Sequence, residues 1–271
     1  MNALSRRHLP ATIRSSFAIL VIAALLWPIG YALWISFSPG NVLSPPTTDW
    51  SLRWYREFFA RPQWTLALGN SLFVATIAAM LSILIGIPAA MGYLKLKSRG
   101  AKFVEAVLLL PLFVPALVLG LALLPVMRLI GLWGAPFSIA IAHSLWGIPL
   151  VFLATRSALV AADPAIEHAA RGLGANPQQV FFLITLPTIR PAILTGAVMA
   201  FVVSFNELIM ALFLGTPATE TLPKVIWPNL RYTLSPIVAA ASGISMAVTV
   251  LLLAAGWIAS RTLTRLTKQN R

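Results

Sequence analysis

Long apolar segments separated by short polar ones dominate the pattern of this 271-residue chain. A helix needs about 20 apolar residues to cross the roughly 30 Å of hydrocarbon in a bilayer. Six segments are long enough: Ser16–Phe37, Leu66–Leu94, Val104–Met127, Trp133–Thr155, Ala192–Leu214 and Ile237–Ala259. The pattern therefore predicts an all-α integral membrane protein with six transmembrane helices in one domain, residues 1–271.

Composition supports a membrane protein. Hydrophobic residues make up 59% of the chain and charged residues 10%, whereas soluble domains carry about 25% charged residues. The net charge of +13 does not indicate nucleic-acid binding, because the basic residues lie between apolar segments rather than on a polar fold. The absence of cysteine excludes disulfides, and the three widely separated histidines make no metal-ligand spacing.

Lysine and arginine counts predict the orientation, since cytoplasmic loops carry the excess. With the N-terminus inside, the cytoplasmic side holds 14 of them and the outer side 6. The 14 are Arg6, Arg7, Arg14, Lys95, Lys97, Arg99, Lys102, Arg156, Arg171, Arg190, Arg261, Arg265, Lys268 and Arg271; the 6 are Arg53, Arg56, Arg61, Arg128, Lys224 and Arg231. Both termini are therefore expected in the cytoplasm. The first apolar segment exceeds the roughly 15 residues of a signal-peptide core and is expected to be a retained helix.

The longest predicted cytoplasmic loop, residues 156–191, contains two short helices. Asp163-Pro164 starts a helix, with aspartate as N-cap and proline at the first position, and Gly174 is placed to cap its end. Asn176-Pro177 starts a second helix, which Leu186-Pro187 is expected to break. Apolar residues recur at helical spacing in the first helix: Ile166, Ala169, Ala170 and Leu173. We call Asp163–Pro187 the hairpin; its exposed apolar face predicts a docking element for another protein, the alternative being a helix pair lying on the membrane surface.

The hairpin resembles the EAA loop of binding-protein-dependent ABC importer permeases of type I. That family's pattern is E-A-A, three residues, G, nine residues, I-x-L-P. This chain has His168-Ala169-Ala170, Gly174 and Ile184-Thr185-Leu186-Pro187 at the same spacing. The motif's glutamate position holds His168, with Glu167 one residue earlier. Four further stretches resemble the polyamine (spermidine/putrescine) branch, although branches that import iron, phosphonates or opines share much of their pattern: Asn70-Ser71-Leu72, Ser204-Phe205-Asn206-Glu207, Leu222-Pro223 and Ser235-Pro236.

The resemblance implies the type I importer permease fold in the inner membrane and four kinds of partner. These are an ABC ATPase dimer, a second permease subunit (a paralogue in the polyamine branch), a periplasmic or extracellular solute-binding protein, and membrane lipid. ATP and Mg would be held by the ATPase, and this chain has no Walker A sequence and no cofactor of its own. The residues implied in coupling to the ATPase are Glu167, His168, Ala169, Ala170, Gly174, Ile184, Leu186 and Pro187.

Glu207 is the one acidic residue well inside a predicted span, about 22 Å along the helix from Ala192. An ionisable group there costs at least about 2.5 kcal/mol if it faces lipid, so it is expected to face the bundle or water. With Asn206, it is a candidate for lining a pathway for an amine cation. The alternative is a structural carboxylate paired within the bundle or with the partner permease. His143 is expected to be structural, and Trp146 and Trp227 to pack.

Two other classes are weighed against an importer subunit. An intramembrane enzyme needs acids, bases or nucleophiles at matching depth, and Glu207 and His143 lie on different spans with no motif around them. An ion-coupled secondary carrier typically has inverted repeats, and none is visible. The sequence therefore predicts a non-enzymatic permease subunit of an ATP-driven importer, with polyamines as the expected solute.

Overall fold

The computed structural model describes residues 11–46, 49–96 and 98–269, with side chains placed between residues 15 and 263 of these ranges. Arg6, Arg7, Lys97 and Arg271, which enter the charge count, lie outside the described residues. The described chain is helical, with these helices: α1 Ala11–Ile35, α2 Arg53–Ala60, α3 Pro62–Tyr93, α4 Ser98–Phe113, α5 Ala116–Leu129, α6 Pro136–Ala161, α7 Pro164–Gly172, α8 Pro177–Val180, α9 Leu186–Phe205, α10 Ile209–Leu214, α11 Leu222–Pro228 and α12 Ile237–Gln269.

Helices α3, α6 and α9 form the centre of the bundle, with α12 packed on α9 and α5 packed on α10. Small residues allow this close packing. A Cβ added at Gly196 of α9 would lie 2.8 Å from the Cα of Val151 in α6. Gly120 of α5 is packed in the same way, since an added Cβ there would lie 3.3 Å from the Cα of Met210 in α10. At Gly92 of α3, in contrast, an added Cβ meets nothing within 4 Å.

The third predicted span is not one straight helix. Five helices in the described chain are long and apolar enough to cross a membrane, and the pair α4 and α5 makes a sixth candidate that bends by 102° at residues 114–115. The predicted span Val104–Met127 therefore corresponds to a bent pair of helices. Pro115 has no N–H for the carbonyl of Pro111 four residues earlier, and the indole N–H of Trp146 in α6 donates to that carbonyl instead, at 2.8 Å.

The fifth predicted span differs at both ends. The helix runs unbroken from Pro177 to Phe205, so the predicted break at Leu186-Pro187 is wrong. A π turn at Phe181–Thr185, in which the Leu186 amide donates to the Phe181 carbonyl, carries the helix past the proline that cannot donate to the carbonyl of Leu183. The helix then stops at Phe205, and α10 begins only at Ile209.

The long predicted outer connection, residues 38–65, folds against the bundle through α2. Trp54 and Phe58 of α2 and Trp64 of α3 are buried in one apolar cluster with α11 and α12. Trp50 is 68% exposed. The connection therefore contributes to the core as well as presenting an aromatic ring at its surface.

Candidate functional site

The first arm of the hairpin is built as its sequence predicts. The side chain of Asp163 accepts the amide N–H of Ala165 at 2.9 Å and so caps α7. At the other end, the Ala175 amide donates to the Ala170 carbonyl and the Gly174 amide to the Arg171 carbonyl, each at 3.0 Å. These two bonds form a Schellman motif, which requires the left-handed backbone that Gly174 adopts at φ +92°.

The second arm starts with a reciprocal cap. The Gln179 amide donates to the Asn176 side chain and the Asn176 amide to the Gln179 side chain, both at 2.9 Å. Pro177 occupies the first helical position, where a missing N–H costs nothing. The start of each arm and the end of the first arm are therefore fixed by capping residues close by in the sequence. The elbow between the arms, residues 173–176, is short.

Glu167 ties the two arms together at their root. The hydroxyl of Thr185 donates to Glu167 Oε1 at 2.7 Å, and Arg171 lies 3.6 Å from Glu167 Oε2. The carboxylate thus points into the hairpin and is partly covered, while His168 is exposed. The acidic side chain beside the motif therefore stabilises the hairpin from within, and the imidazole of His168 is the group presented outward.

An uncovered apolar surface runs along both arms. Its members are exposed hydrophobic side chains: Ile166 at 37%, Leu173 at 91%, Phe182 at 59% and Leu183 at 73%. Ala169 and Gly174 are also exposed, whereas Ala170, Ile184, Leu186 and Pro187 are half-buried at the root. The predicted coupling residues thus divide into an outward group and a group that fixes the hairpin to α9.

The second candidate region is the break between α9 and α10, where the side chain of Asn206 is exposed and that of Glu207 is buried. The carboxylate of Glu207 accepts the amide N–H of Ile209 at 2.8 Å and of Met210 at 2.9 Å, so it caps α10. A negative charge at a helix N-terminus is also favoured by the helix dipole. The residue is 6% exposed. This arrangement matches the structural alternative for Glu207.

His143 lies behind the break on α6 and is 2% exposed. Its Nε2 is 3.0 Å from Glu207 Oε2, and its Nδ1 is 2.8 Å from the hydroxyl oxygen of Ser204. The imidazole therefore connects the last turn of α9 to the cap of α10. Its position agrees with the predicted structural role.

Asn206, in contrast, faces an open groove of about 470 Å³. We call this the Asn206 groove. It lies between the break, α11 and α12 and is lined by Asn206, Leu208, Pro223, Ile226, Trp227, Ser242, Ser245, Met246 and Thr249. Among these lining residues of the described chain none is acidic. Trp227, which was expected to pack, is 43% exposed at this groove.

A third cluster was missed by the sequence analysis. Glu105 of α4 forms an ion pair with Arg156 of α6 and also accepts the hydroxyl of Tyr93 at 2.8 Å. The guanidinium of Arg156 stands 4.4 Å from the centre of the Tyr93 ring. The sequence signal for this cluster was modest. Glu105 lies at the start of one apolar segment and Arg156 follows another, so both lie at the predicted cytoplasmic side.

Residues 82–265 match the family described as binding-protein-dependent transport system inner membrane component. The chain belongs to this family. It is a multi-pass inner-membrane permease subunit of an ABC importer, and its role is transport. The family resemblance inferred from the motif spacing in the hairpin is therefore confirmed.

Two relatives and one solved structure define the similarity. The permease is 35% identical over 195 residues to the putrescine transport system permease protein PotI of Escherichia coli (strain K12), covering 69% of each chain. It is 26% identical over 253 residues to the spermidine/putrescine transport system permease protein PotC of the same strain, covering 93% of this permease and 96% of PotC. A chain of the bacterial alginate ABC transporter, crystallised with an alginate pentasaccharide-bound periplasmic protein, has a TM-score of 0.71 at 18% identity, over 93% of this permease and 95% of that chain. The last likeness shows the fold.

Proposed function

We propose that this permease forms half of the membrane pathway of an importer for polyamines, driven by ATP hydrolysis on separate subunits. The relatives named for putrescine and for spermidine and putrescine support this solute class. The observation that carries the coupling role is the uncovered apolar surface of the hairpin, at the family's motif spacing. Exposed leucine and phenylalanine side chains on a well-capped element indicate a protein partner.

The partner at the hairpin is an ABC ATPase dimer, which would hold ATP and Mg. A helix pair that lies on lipid has a polar face rich in lysine and arginine, and between residues 163 and 187 Arg171 is the only residue of either type. Docking therefore explains the hairpin better than membrane contact. By this proposal the hairpin and both termini lie in the cytoplasm, in agreement with the 14 to 6 distribution of basic residues.

The solute pathway follows the Asn206 groove. A polyamine carries primary ammonium groups joined by methylenes, and the groove offers matching chemistry. The ring of Trp227 attracts a cation through its π face, while the amide of Asn206 and the hydroxyls of Ser242 and Ser245 supply hydrogen-bond acceptors. Glu207 lies behind this surface, and we assign it the role of holding the break in shape rather than touching solute.

The groove is open along one side, and a second permease subunit would close it. We propose a paralogue in that position, together with an external solute-binding protein that delivers the polyamine. The chain acts as one permease domain over residues 1–271 and performs no hydrolysis itself.

The test is reconstitution of the complete importer in proteoliposomes. Uptake of labelled putrescine, spermidine and a phosphonate is measured with ATP, with a non-hydrolysable ATP analogue, and with an ionophore that collapses ion gradients. We expect ATP-dependent uptake of the two polyamines that the ionophore leaves unchanged. Uptake that needs an ion gradient instead of ATP would contradict the importer, and uptake of the phosphonate alone would contradict the solute class.

A further inference from the structure

The Glu105–Arg156 pair sits at the point where α6 leaves the bundle toward the hairpin. Arg156 is five residues before Ala161, the end of α6, and only Ala162 and the N-cap Asp163 separate α6 from α7. Five helical residues at 1.5 Å each and the extended residues Ala162 and Asp163 place Arg156 about 14 Å along the chain from the hairpin. Helix α7 is therefore joined to this pair by the last turns of α6 and a connection of two extended residues.

Among the described residues, the same pair is one of two polar attachments that hold α4 to the bundle. None of the described residues of α4 is buried, so apolar packing fixes this helix only weakly. At its first turns Glu105 binds Arg156 and Tyr93. At its last turn the carbonyl of Pro111 accepts the indole N–H of Trp146. Arg156 and Trp146 both belong to α6, so both attachments join α4 to α6, and Tyr93 adds a bond to the end of α3.

The bent partner of α4 extends this connection to the other candidate site. Helix α5 packs on α10, with Gly120 close to the backbone of Met210 and to the ring of Phe213. Met210 is in the first turn of α10, the turn that Glu207 caps. Helices α6, α4, α5 and α10 thus form a contiguous route from the hairpin to the break beside the Asn206 groove, separate from the direct route through α9.

We infer that Glu105, Arg156 and Tyr93 form a positioning cluster that transmits hairpin movement to the bent α4–α5 pair, so that coupling of ATP hydrolysis to transport depends on the Glu105–Arg156 ion pair. The side chains of Glu105 and Arg156 are each 28% exposed, and this partial burial strengthens their attraction over that of a fully solvated surface pair. Tyr93 orients the carboxylate, and its ring rests against the buried Phe152 at a centroid distance of 5.6 Å. The cluster rests on the proposed function, since it has a role only if an ATPase docks on the hairpin.

The experiment measures solute imported per ATP hydrolysed in the reconstituted complex, for Glu105→Gln, Arg156→Gln, the double variant, and the exchanged pair Glu105→Arg with Arg156→Glu. Arg99→Gln is the matched control, because Arg99 is an exposed cation on α4, the helix that carries Glu105. We expect each single variant to lower the ratio by about threefold to tenfold, in the range of coupling changes along packed networks. The double variant should be no worse than either single one, the exchanged pair should recover most of the ratio, and Arg99→Gln should match wild type.

The readouts separate the possible failures. Single variants whose ratio stays within twofold of Arg99→Gln, or additive losses in the double variant, would overturn the positioning role. Loss of the ATPase subunit from the purified complex of a single variant would also overturn it, because the cluster would then only stabilise the permease. A wild-type complex that neither retains an ATPase nor imports solute with ATP would instead overturn the proposed function.

Discussion

The indole nitrogen of Trp146 lies 2.8 Å from the carbonyl oxygen of Pro111, the carbonyl that Pro115 leaves without its normal donor. In the hydrocarbon region water cannot replace a missing backbone partner. A sharp bend in a membrane helix is thus stabilised by a side chain from another helix, 35 residues away in sequence. The bond joins the proline break to the centre of the bundle.

Trp146→Phe should destabilise the permease by about 1 kcal/mol, because an aromatic ring is kept while the Pro111 carbonyl loses its shorter hydrogen bond and retains only that from the Val114 amide at 3.3 Å. The measurement is thermal unfolding of the purified protein in detergent. Trp133→Phe is the matched control: its indole also donates to a backbone carbonyl, that of Phe213 at 3.2 Å, but at an exposed position. Equal stability losses for the two variants would contradict the assignment.

Glu207→Gln should lower stability by about 1–2 kcal/mol, because an amide accepts through one oxygen and its NH₂ group opposes the second backbone N–H. The KM for putrescine uptake should stay unchanged, since the side chain faces α10 and His143. Glu57→Gln, which removes a carboxylate from an exposed ion pair with Arg61, should cost at most about 0.5 kcal/mol. A raised KM at normal stability would make Glu207 a solute contact instead.

Asn206→Asp should lower the KM for putrescine by about threefold or more, because it adds a carboxylate to a groove with neutral lining near a dicationic solute. Asn206→Leu should raise the KM by removing the amide acceptor. Initial uptake rates at varied putrescine concentration measure both. Asn229→Asp, placed nearby but outside the lining, adds the same charge as a control. Unchanged KM in both Asn206 variants would mean that solute takes another route.

Gly174→Val should uncouple ATP hydrolysis from uptake, because a β-branched residue at φ +92° strains the elbow by about 1–2 kcal/mol or more. Gly172→Val is the matched control, since Gly172 is helical and an added Cβ there meets nothing within 4 Å. ATPase activity and uptake are measured together in proteoliposomes. Wild-type uptake per ATP in Gly174→Val would show that the elbow geometry is dispensable.

The hairpin was predictable because its signals are local. Asp163, Gly174 and Asn176 each bond to backbone groups within a few residues, so residue type and spacing were enough to place the first arm, the elbow and the start of the second arm. The first, second, fourth and sixth apolar segments each correspond to one long helix, because bilayer thickness sets the length of apolar sequence that a span needs.

The helix breaks were not predictable, because they depend on distant partners. Pro115 ends a helix while Pro187 does not, although both lie in apolar surroundings. The difference comes from a tryptophan on α6 in one case and a widened turn in the other. The separation of Asn206 and Glu207 into an exposed and a buried side chain likewise follows from the break between α9 and α10, which apolar periodicity does not reveal.

Because the helix from Pro177 to Phe205 is unbroken, it fixes the direction in which Asn206 points relative to the second arm of the hairpin. One residue inserted or deleted between Leu186 and Phe205 would turn Asn206 by about 100° relative to the docking surface, away from Ser242 and Ser245. The π turn contains one more residue per hydrogen-bonded ring than an α-turn. It therefore contributes to the rotation of Asn206 about the helix axis relative to the hairpin. In this segment the number of residues therefore has functional weight independent of their identity, and length variation among relatives is expected in the outer connections and at the termini rather than here.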